Sequence, residues 1–129
     1  MPRPTLLVAE PEPEQALSVR KLVLETGKFN VLTAHSSREA LDIFQLFPNL
    51  SAAVLVGDGD INCSDVGKQI KSATNKIPII YLHARIGGHC ASADHHLSSH
   101  EPELLLELVR SLLGDPRSSE RDLSIKNAS

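Results

Sequence analysis

Residues 5–9 read TLLVA, a short and largely apolar run that ends at the acidic, proline-rich segment EPEPE of residues 10–14. An apolar run of this length, without a polar residue at every second position, indicates a strand covered on both faces, as in parallel sheets. The runs AAVLV (residues 52–56) and IPIIYL (residues 77–82) have the same character. Parallel neighbours need long crossover connections, so helices are expected between these strands.

Segments with apolar residues at helical spacing alternate with the strands. The first runs from Glu14 to Thr26, with Gly27 at the position of a C-terminal cap. Its apolar residues are Ala16, Val19, Leu22 and Val23. Three more regular helices are predicted: after the second strand, after the third strand, and from Pro102 onward.

Two weaker strands complete the pattern, one at Phe29–Ala34 and a brief last one at His95–Leu97. Between the fourth and fifth strands the sequence contains Gly87 and Gly88, which penalise a helix. We therefore expect the fourth helix to be short or irregular.

The alternation of elements predicts an α/β fold: a doubly wound, five-stranded parallel sheet with helices on both faces. Residues 1–113 form the predicted domain, and residues 114–129, rich in Ser, Arg, Asp and Lys, a polar C-terminal tail. Sheets of this kind place their sites in the loops at the carboxyl ends of the strands. Here those loops contain EPEPE, GDGD, HARIGG and SSHEP.

Composition excludes several classes of function. The net charge is -3 with mixed signs, so no basic surface for nucleic acid is expected. No apolar run approaches the roughly 20 residues that cross a bilayer, and no signal-peptide pattern opens the chain. The two cysteines, Cys63 and Cys90, have no repeated spacing, from which we infer a reducing compartment. We expect a cytoplasmic protein without a membrane segment.

Several segments, in their order along the chain, resemble those of response-regulator receiver domains, the flavodoxin-like modules that are phosphorylated on aspartate in two-component signalling. They are LLVAEPEP (residues 6–13), SSREALDIF (36–44), KIPIIYLHA (76–84) and SADHHLSSHEPELLLELV (92–109). The resemblance covers Thr5 to Leu113 and implies the receiver fold.

In receivers an aspartate after the third strand accepts the phosphoryl group. The resemblance assigns that position to Asp58, with Asp60 as a weaker candidate; if the strand ends one residue earlier, Gly57 holds it instead. The acidic pair that holds Mg²⁺ corresponds to Glu10 and Pro11, and Glu12 is the next acid, so the predicted acidic pocket comprises Glu10, Glu12 and Asp60.

Two further positions bind the phosphoryl oxygens in receivers, through a hydroxyl and a lysine. Here they correspond to His83 and Ser99. Because Pro11 offers no side-chain oxygen and Ser99 no cation, we expect Mg²⁺ to bind weakly or not at all and the phosphorylation chemistry to be degenerate.

The leading hypothesis is a stand-alone, divergent receiver, or pseudo-receiver, that is not an enzyme. It would act as a monomer or weak homodimer by binding a protein partner, such as a histidine kinase or another signalling protein. One alternative is a functional receiver phosphorylated on Asp58 in a phosphorelay. The other is a metal-binding protein that uses the cluster His89, Cys90, His95, His96 and His100.

Overall fold

The computed structural model describes residues 4–11, 18–57, 61–83, 89–98 and 101–116. Five strands form one parallel sheet, as predicted. They are β1 (Thr5–Ala9), β2 (Asn30–Ala34), β3 (Ala52–Val56), β4 (Ile79–His83) and β5 (His95–Ser98). Their order in the sheet is β2-β1-β3-β4-β5, which places β1, β3 and β4 in the interior. Those three strands are almost completely buried, so the reading of their apolar runs is confirmed.

Four helices lie within the described residues: α1 (Val19–Thr26), α2 (Ser37–Leu46), α3 (Cys63–Ala73) and α4 (Pro102–Leu113). The predicted start of the first helix, at residues 14–17, and the tail beyond residue 116 lie outside the described part of the chain. So do Gly87 and Gly88, where a short or irregular fourth helix is predicted. The described residues 89–94 of the same connection contain no helix.

The hydrophobic core has two layers, one on each face of the sheet. On one face α1 and α4 bury Leu24, Leu105 and Val109 against β1, β3 and β4. On the other face α2 and α3 bury Ala40, Val66 and Ile70. Helices on both faces of a parallel sheet are the doubly wound arrangement that the sequence predicts.

The apolar face predicted for the first helix is wrong in part. Val19 and Leu22 are 59% and 57% exposed, whereas Leu24 is completely buried. The reason is the position of α4: a Cβ at Gly27 would lie 2.6 Å from Leu106 Cδ1, so the glycine lets α4 approach the end of α1 closely. This approach covers the side of α1 that carries Leu24.

Polar side chains cap the starts of α2 and α3. Ser36 Oγ accepts a hydrogen bond of 3.1 Å from the Glu39 amide at the start of α2, and Asn62 Oδ1 accepts one of 3.1 Å from the Asp65 amide at the start of α3. These caps satisfy amides that have no partner within the helix. The Asn62 cap sets the position of Cys63, the first residue of α3.

None of the helices among the described residues is long and apolar enough to cross a membrane.

Candidate functional site at the carboxyl edge of the sheet

Glu10 follows β1 and is buried, with 1% of its surface exposed. Its Oε2 lies 2.9 Å from Nη1 of Arg20, which projects from α1. Its backbone N–H donates to the Ala34 carbonyl at 2.9 Å, and its own carbonyl lies 3.1 Å from His35 Nδ1. Its Oε1 has no hydrogen-bond partner among the described residues. A buried carboxylate is tolerated only when a cation or donors compensate it, and here Arg20 is that cation.

The acidic pair expected from the resemblance therefore contributes one described carboxylate. Pro11 has no side-chain oxygen, and Glu12 lies outside the described residues. Mg²⁺ prefers several oxygen ligands in nearly octahedral geometry. The Glu10 oxygen that faces α1 is already in contact with a guanidinium group. Within the described ranges, no group of three or more His, Cys, Asp or Glu side chains could hold a metal ion.

The end of β3 lies beside the end of β4. In the register of these strands Val56 is opposite Leu82, and the Gly57 amide donates to the Leu82 carbonyl at 3.0 Å. Gly57 is thus the residue that continues the register next to His83. Asp58 and Asp60 lie outside the described residues, so their assignment as phosphoacceptor candidate and pocket acid stays a prediction.

The Tyr81 ring fills the space in front of Gly57. A Cβ built on Gly57 would overlap the hydroxyl, Cε1 and Cζ atoms of Tyr81. Tyr81 is itself buried, with 8% of its surface exposed, and belongs to the core layer beneath α2 and α3. Residue 57 can therefore carry a side chain only if the tyrosine moves.

His83 closes β4 and is partly buried, with its ring centroid 6.3 Å from that of Tyr81. In the register of β4 and β5 it lies opposite Ser98. Ser99, the residue predicted at the lysine position, lies outside the described part of the chain. Of the two predicted positions that would contact phosphoryl oxygens, the structure thus describes His83 alone.

An open pocket of about 430 Å³ lies at this edge. The ends of β3 and β4, the start of α3 and the connection before β5 form its walls. The lining residues are Gly57, Ile61, Asn62, Cys63, Ser64, Tyr81 and His89. Ligand sites of doubly wound sheets lie at this end of the strands, so the pocket is where the fold predicts a site.

Cys63 and Cys90 form a disulfide across one wall of the pocket, with their Cα atoms 6.0 Å apart. Cys63 begins α3, and Cys90 lies in the connection between β4 and β5. This pair was not expected from the sequence, because a separation of 27 residues matches no local motif. The pairing also removes cysteine spacing as an argument for a reducing compartment.

The histidines near Cys90 pack together. The His89 and His96 rings are stacked, with centroids 4.8 Å apart, and the Tyr81 and His96 rings form a T-shaped pair with centroids 5.7 Å apart. His96 Nε2 lies 3.2 Å from the Cys90 amide nitrogen and 3.1 Å from its carbonyl oxygen, so either ring tautomer finds a partner there. Because the Cys90 sulfur is bonded to Cys63, it offers no thiolate to a metal.

The residues that follow Cys90 bind to α3 through polar contacts. Ser92 Oγ donates to the Ser64 carbonyl at 3.1 Å. The Asp94 carboxylate accepts from Lys71 Nζ at 2.7 and 2.9 Å and from the Ile79 amide at 2.8 Å. Burial acts to raise the pKa of Asp94, but the hydrogen bonds from Lys71 and Ile79 and the charges of Lys71 and His95 outweigh it, so its pKa lies below the usual value.

No known family model matches the sequence, and no curated protein matches it. The fold does match solved structures. A CheY-like response regulator receiver domain protein from Methanospirillum hungatei JF-1 has a TM-score of 0.71 at 15% identity, over 85% of this chain and 93% of that chain. A response regulator from Chloroflexus aurantiacus J-10-fl has a TM-score of 0.73 at 23% identity, over 87% and 98%.

The response regulator protein TrrA from Thermotoga maritima, solved in complex with Mg²⁺ and BeF, is similar at 25% identity with a TM-score of 0.71, over 85% of this chain and 99% of that chain. The chain therefore has the flavodoxin-like fold of a response-regulator receiver domain, and the resemblance expected from the sequence is confirmed. Its fold is that of a signalling module.

Proposed function

We propose that this chain is a divergent receiver that signals by binding a protein partner and does not switch through an aspartyl phosphate. One observation supports this most strongly: the Tyr81 ring occupies the space that a side chain on residue 57 would need. Gly57 continues the β3 register beside His83, where receivers carry the acceptor. In this proposal the acceptor position is held by a glycine, and Asp58 lies one residue beyond it.

The environment of Glu10 supports the same proposal. Receivers hold Mg²⁺ at this acidic position, where the metal offsets the charge of the transferred phosphoryl group. In this chain Arg20 already supplies a positive charge to Glu10 at 2.9 Å. A divalent cation would compete with that guanidinium and would find no side-chain oxygen on Pro11. We propose that the residues at this position do not fit Mg²⁺.

A protein partner follows from the loss of the switch chemistry. With no catalytic group assembled among the described residues, the module is proposed to act by binding and not as an enzyme. The proposed partner class is a histidine kinase or another signalling protein, and we propose that the module acts in the cytoplasm. The last strand and helix, β5 and α4, are the proposed docking face.

Phosphoryl chemistry is tested directly on the full chain. Amide spectra are recorded with Mg²⁺ alone and with Mg²⁺ plus beryllium fluoride, which mimics the phosphoryl group. We expect the Glu10, Gly57 and His83 signals to stay unchanged, and acetyl phosphate to leave no acyl phosphate by mass spectrometry. Saturable Mg²⁺-dependent shifts at Gly57, or an acyl phosphate that Asp58→Asn abolishes and Asp42→Asn retains, would establish the phosphorelay alternative. Asp42 is a suitable control because it is an exposed acid on α2.

The role of Tyr81 is tested by a double-mutant cycle. Gly57→Ala alone should cost about 1–3 kcal/mol of unfolding free energy, because the added methyl group overlaps the ring. In a Tyr81→Leu background the same substitution should cost much less, since the smaller side chain leaves the space open. Equal costs in both backgrounds would show that Tyr81 does not block the position.

A further inference from the structure

We propose that Cys63 and Cys90 are a reversible thiol–disulfide pair, and that their oxidation state controls how the β4–β5 segment is held against α3. The β4–β5 segment is defined here as residues 89–94. It forms part of the pocket wall through His89. The oxidised state is the one that the structure describes.

The fold brings the two sulfurs together, and neither α3 nor the β4–β5 segment has to move for the disulfide to form. The Cα separation of 6.0 Å lies within the range that disulfides span. Cys63 is fixed by its place as the first residue of a capped helix. Cys90 is held by the contacts between its backbone and His96 Nε2. Both positions are thus set by other contacts, and the reduced thiols would remain neighbours and able to pair again.

The two sulfurs differ in access, which decides where exchange occurs. The Cys63 residue is 6% exposed and lines the open pocket, whereas the Cys90 residue is 1% exposed and is not among the lining residues. Thiol–disulfide exchange requires a nucleophile to reach one sulfur. Cys63 is therefore the sulfur that reacts with an outside partner.

The chemistry needs a second disulfide as oxidant, and glutathione disulfide represents that class. The Cys63 thiolate attacks one sulfur of glutathione disulfide, forms a mixed disulfide and releases one glutathione thiolate. The Cys90 thiolate then attacks Cys63 Sγ, closes the protein disulfide and releases the second glutathione. Two protein thiols lose two electrons and two protons, and the oxidant is reduced to two thiols. Reduction is the reverse, with glutathione or a dithiol protein attacking Cys63 Sγ.

Breaking the disulfide removes the only covalent link among the described contacts between the β4–β5 segment and α3. Ser92 and Asp94 would still bind Ser64 and Lys71. Among the described contacts, His89–Cys90, next to the pocket, would then have no link to α3 and would keep those with His96 on β5. Movement there changes the wall that faces Tyr81 and Gly57. The redox state of the cysteines thus changes the pocket wall at the carboxyl edge of the sheet without any phosphoryl group.

A regulatory use, as opposed to a purely structural one, rests on the proposed function. A domain of this size with two packed core layers does not need a disulfide to fold. In a reducing cytoplasm, disulfides are usually transient and serve catalysis or redox sensing. A cytoplasmic signalling module with a pocket-lining disulfide therefore fits a redox input.

The test is a redox titration of the native full-length chain in mixtures of glutathione and glutathione disulfide. Free thiols are alkylated at each ratio and counted by mass spectrometry. We expect the disulfide to open and close reversibly without denaturant. In Cys90→Ser, glutathione disulfide should label Cys63 about tenfold faster than it labels Cys90 in Cys63→Ser, because access differs. Ser64→Cys, in the Cys63→Ser background, controls for a thiol in the same pocket wall that is not a member of the disulfide pair.

Spectra of the oxidised and reduced wild-type chain give a second measurement that needs no variant. The amides of Gly57, Cys90 and His89 should shift on reduction, while those of Leu24 and Val109 on the other face should not. A disulfide that glutathione opens only in denaturant, or equal labelling of both cysteines, would overturn the proposal. Reversible exchange together with beryllium fluoride binding at Gly57 would instead reject the proposed function and leave the redox pair standing.

Discussion

Two parts of the carboxyl edge, one beside β1 and one beside β4, are stabilised in opposite ways. Beside β1, Glu10 is neutralised by Arg20, only ten residues later in the chain. Beside β4, Cys63 is bonded to Cys90, 27 residues later. The ion pair forms within one strand–helix unit, whereas the disulfide joins two units. The β1 side removes a charge that a receiver would use for a metal, and the β4 side fixes the shape of a pocket wall.

The comparison shows where this molecule can respond to its surroundings. Arginine stays protonated at any physiological pH, so nothing in the cell readily removes the positive charge at Glu10. A disulfide, in contrast, opens and closes with the redox poise of its compartment. The β1 side is therefore a fixed feature of the fold, and the β4 side is the adjustable one.

The largest expected effect comes from opening the disulfide. In the loop-entropy description, a link that closes 27 residues stabilises a protein by about 3.5 kcal/mol. Reduction should thus lower the melting temperature by on the order of 10 °C, measured by thermal unfolding with and without a phosphine reductant. Cys63→Ser should reproduce the reduced value and respond no further to reductant. A loss below about 1 kcal/mol would mean that the β4 side is held by its polar contacts instead.

The next effect concerns the β1 side. Arg20→Met keeps the aliphatic stem but leaves Glu10 without its cation, which should cost about 3 kcal/mol of unfolding free energy. The lower end of the range for buried pairs applies because Arg20 is 25% exposed. Adding Glu10→Gln should recover part of the loss, since the uncompensated charge is then gone.

The matched control for Arg20 is Lys21→Met on the same helix. Lys21 pairs with Glu25 at 3.7 Å, and both side chains are 47% exposed. Such a pair contributes less than about 0.5 kcal/mol. If denaturant titrations gave the two variants similar losses of unfolding free energy, the burial of Glu10 would not depend on its pairing with Arg20. Arg20 would then not exclude a metal ion from this position.

The smallest effect is at Asp94, where polar contacts support the β4 side. Because the pKa of Asp94 is lowered in the folded state, its stabilising contribution is complete above its unfolded value and is lost as pH falls through the folded value. Asp94→Asn should lower stability by less than about 1 kcal/mol near neutral pH, and by less still in acid. In a Lys71→Met background the pH dependence of this difference should shrink, as denaturant titrations across pH would reveal. An unchanged dependence would assign the lowered pKa to the Ile79 amide.

Much of the fold was predictable because the spacing of apolar residues differs between buried strands and amphipathic helices, and the two patterns alternate along the chain. The apolar runs of β1, β3 and β4 indicated strands covered on both faces, and their alternation with segments of helical spacing predicted the parallel topology. The exposure of Val19 and Leu22 was not predictable. Which side of a helix is covered depends on where its neighbour packs, and α4 comes roughly eighty residues after α1.

The candidate site divides in the same way. The elements that end at the carboxyl edge could be predicted from the sequence. So could the lack of a side-chain oxygen at Pro11. Tertiary structure alone decided that Arg20 reaches Glu10, that the Tyr81 ring covers Gly57 and that Cys63 meets Cys90. The periodicity of apolar residues along one element indicates which of its residues are buried. Pairing between side chains on different elements depends on their relative placement, and no local pattern records that distance.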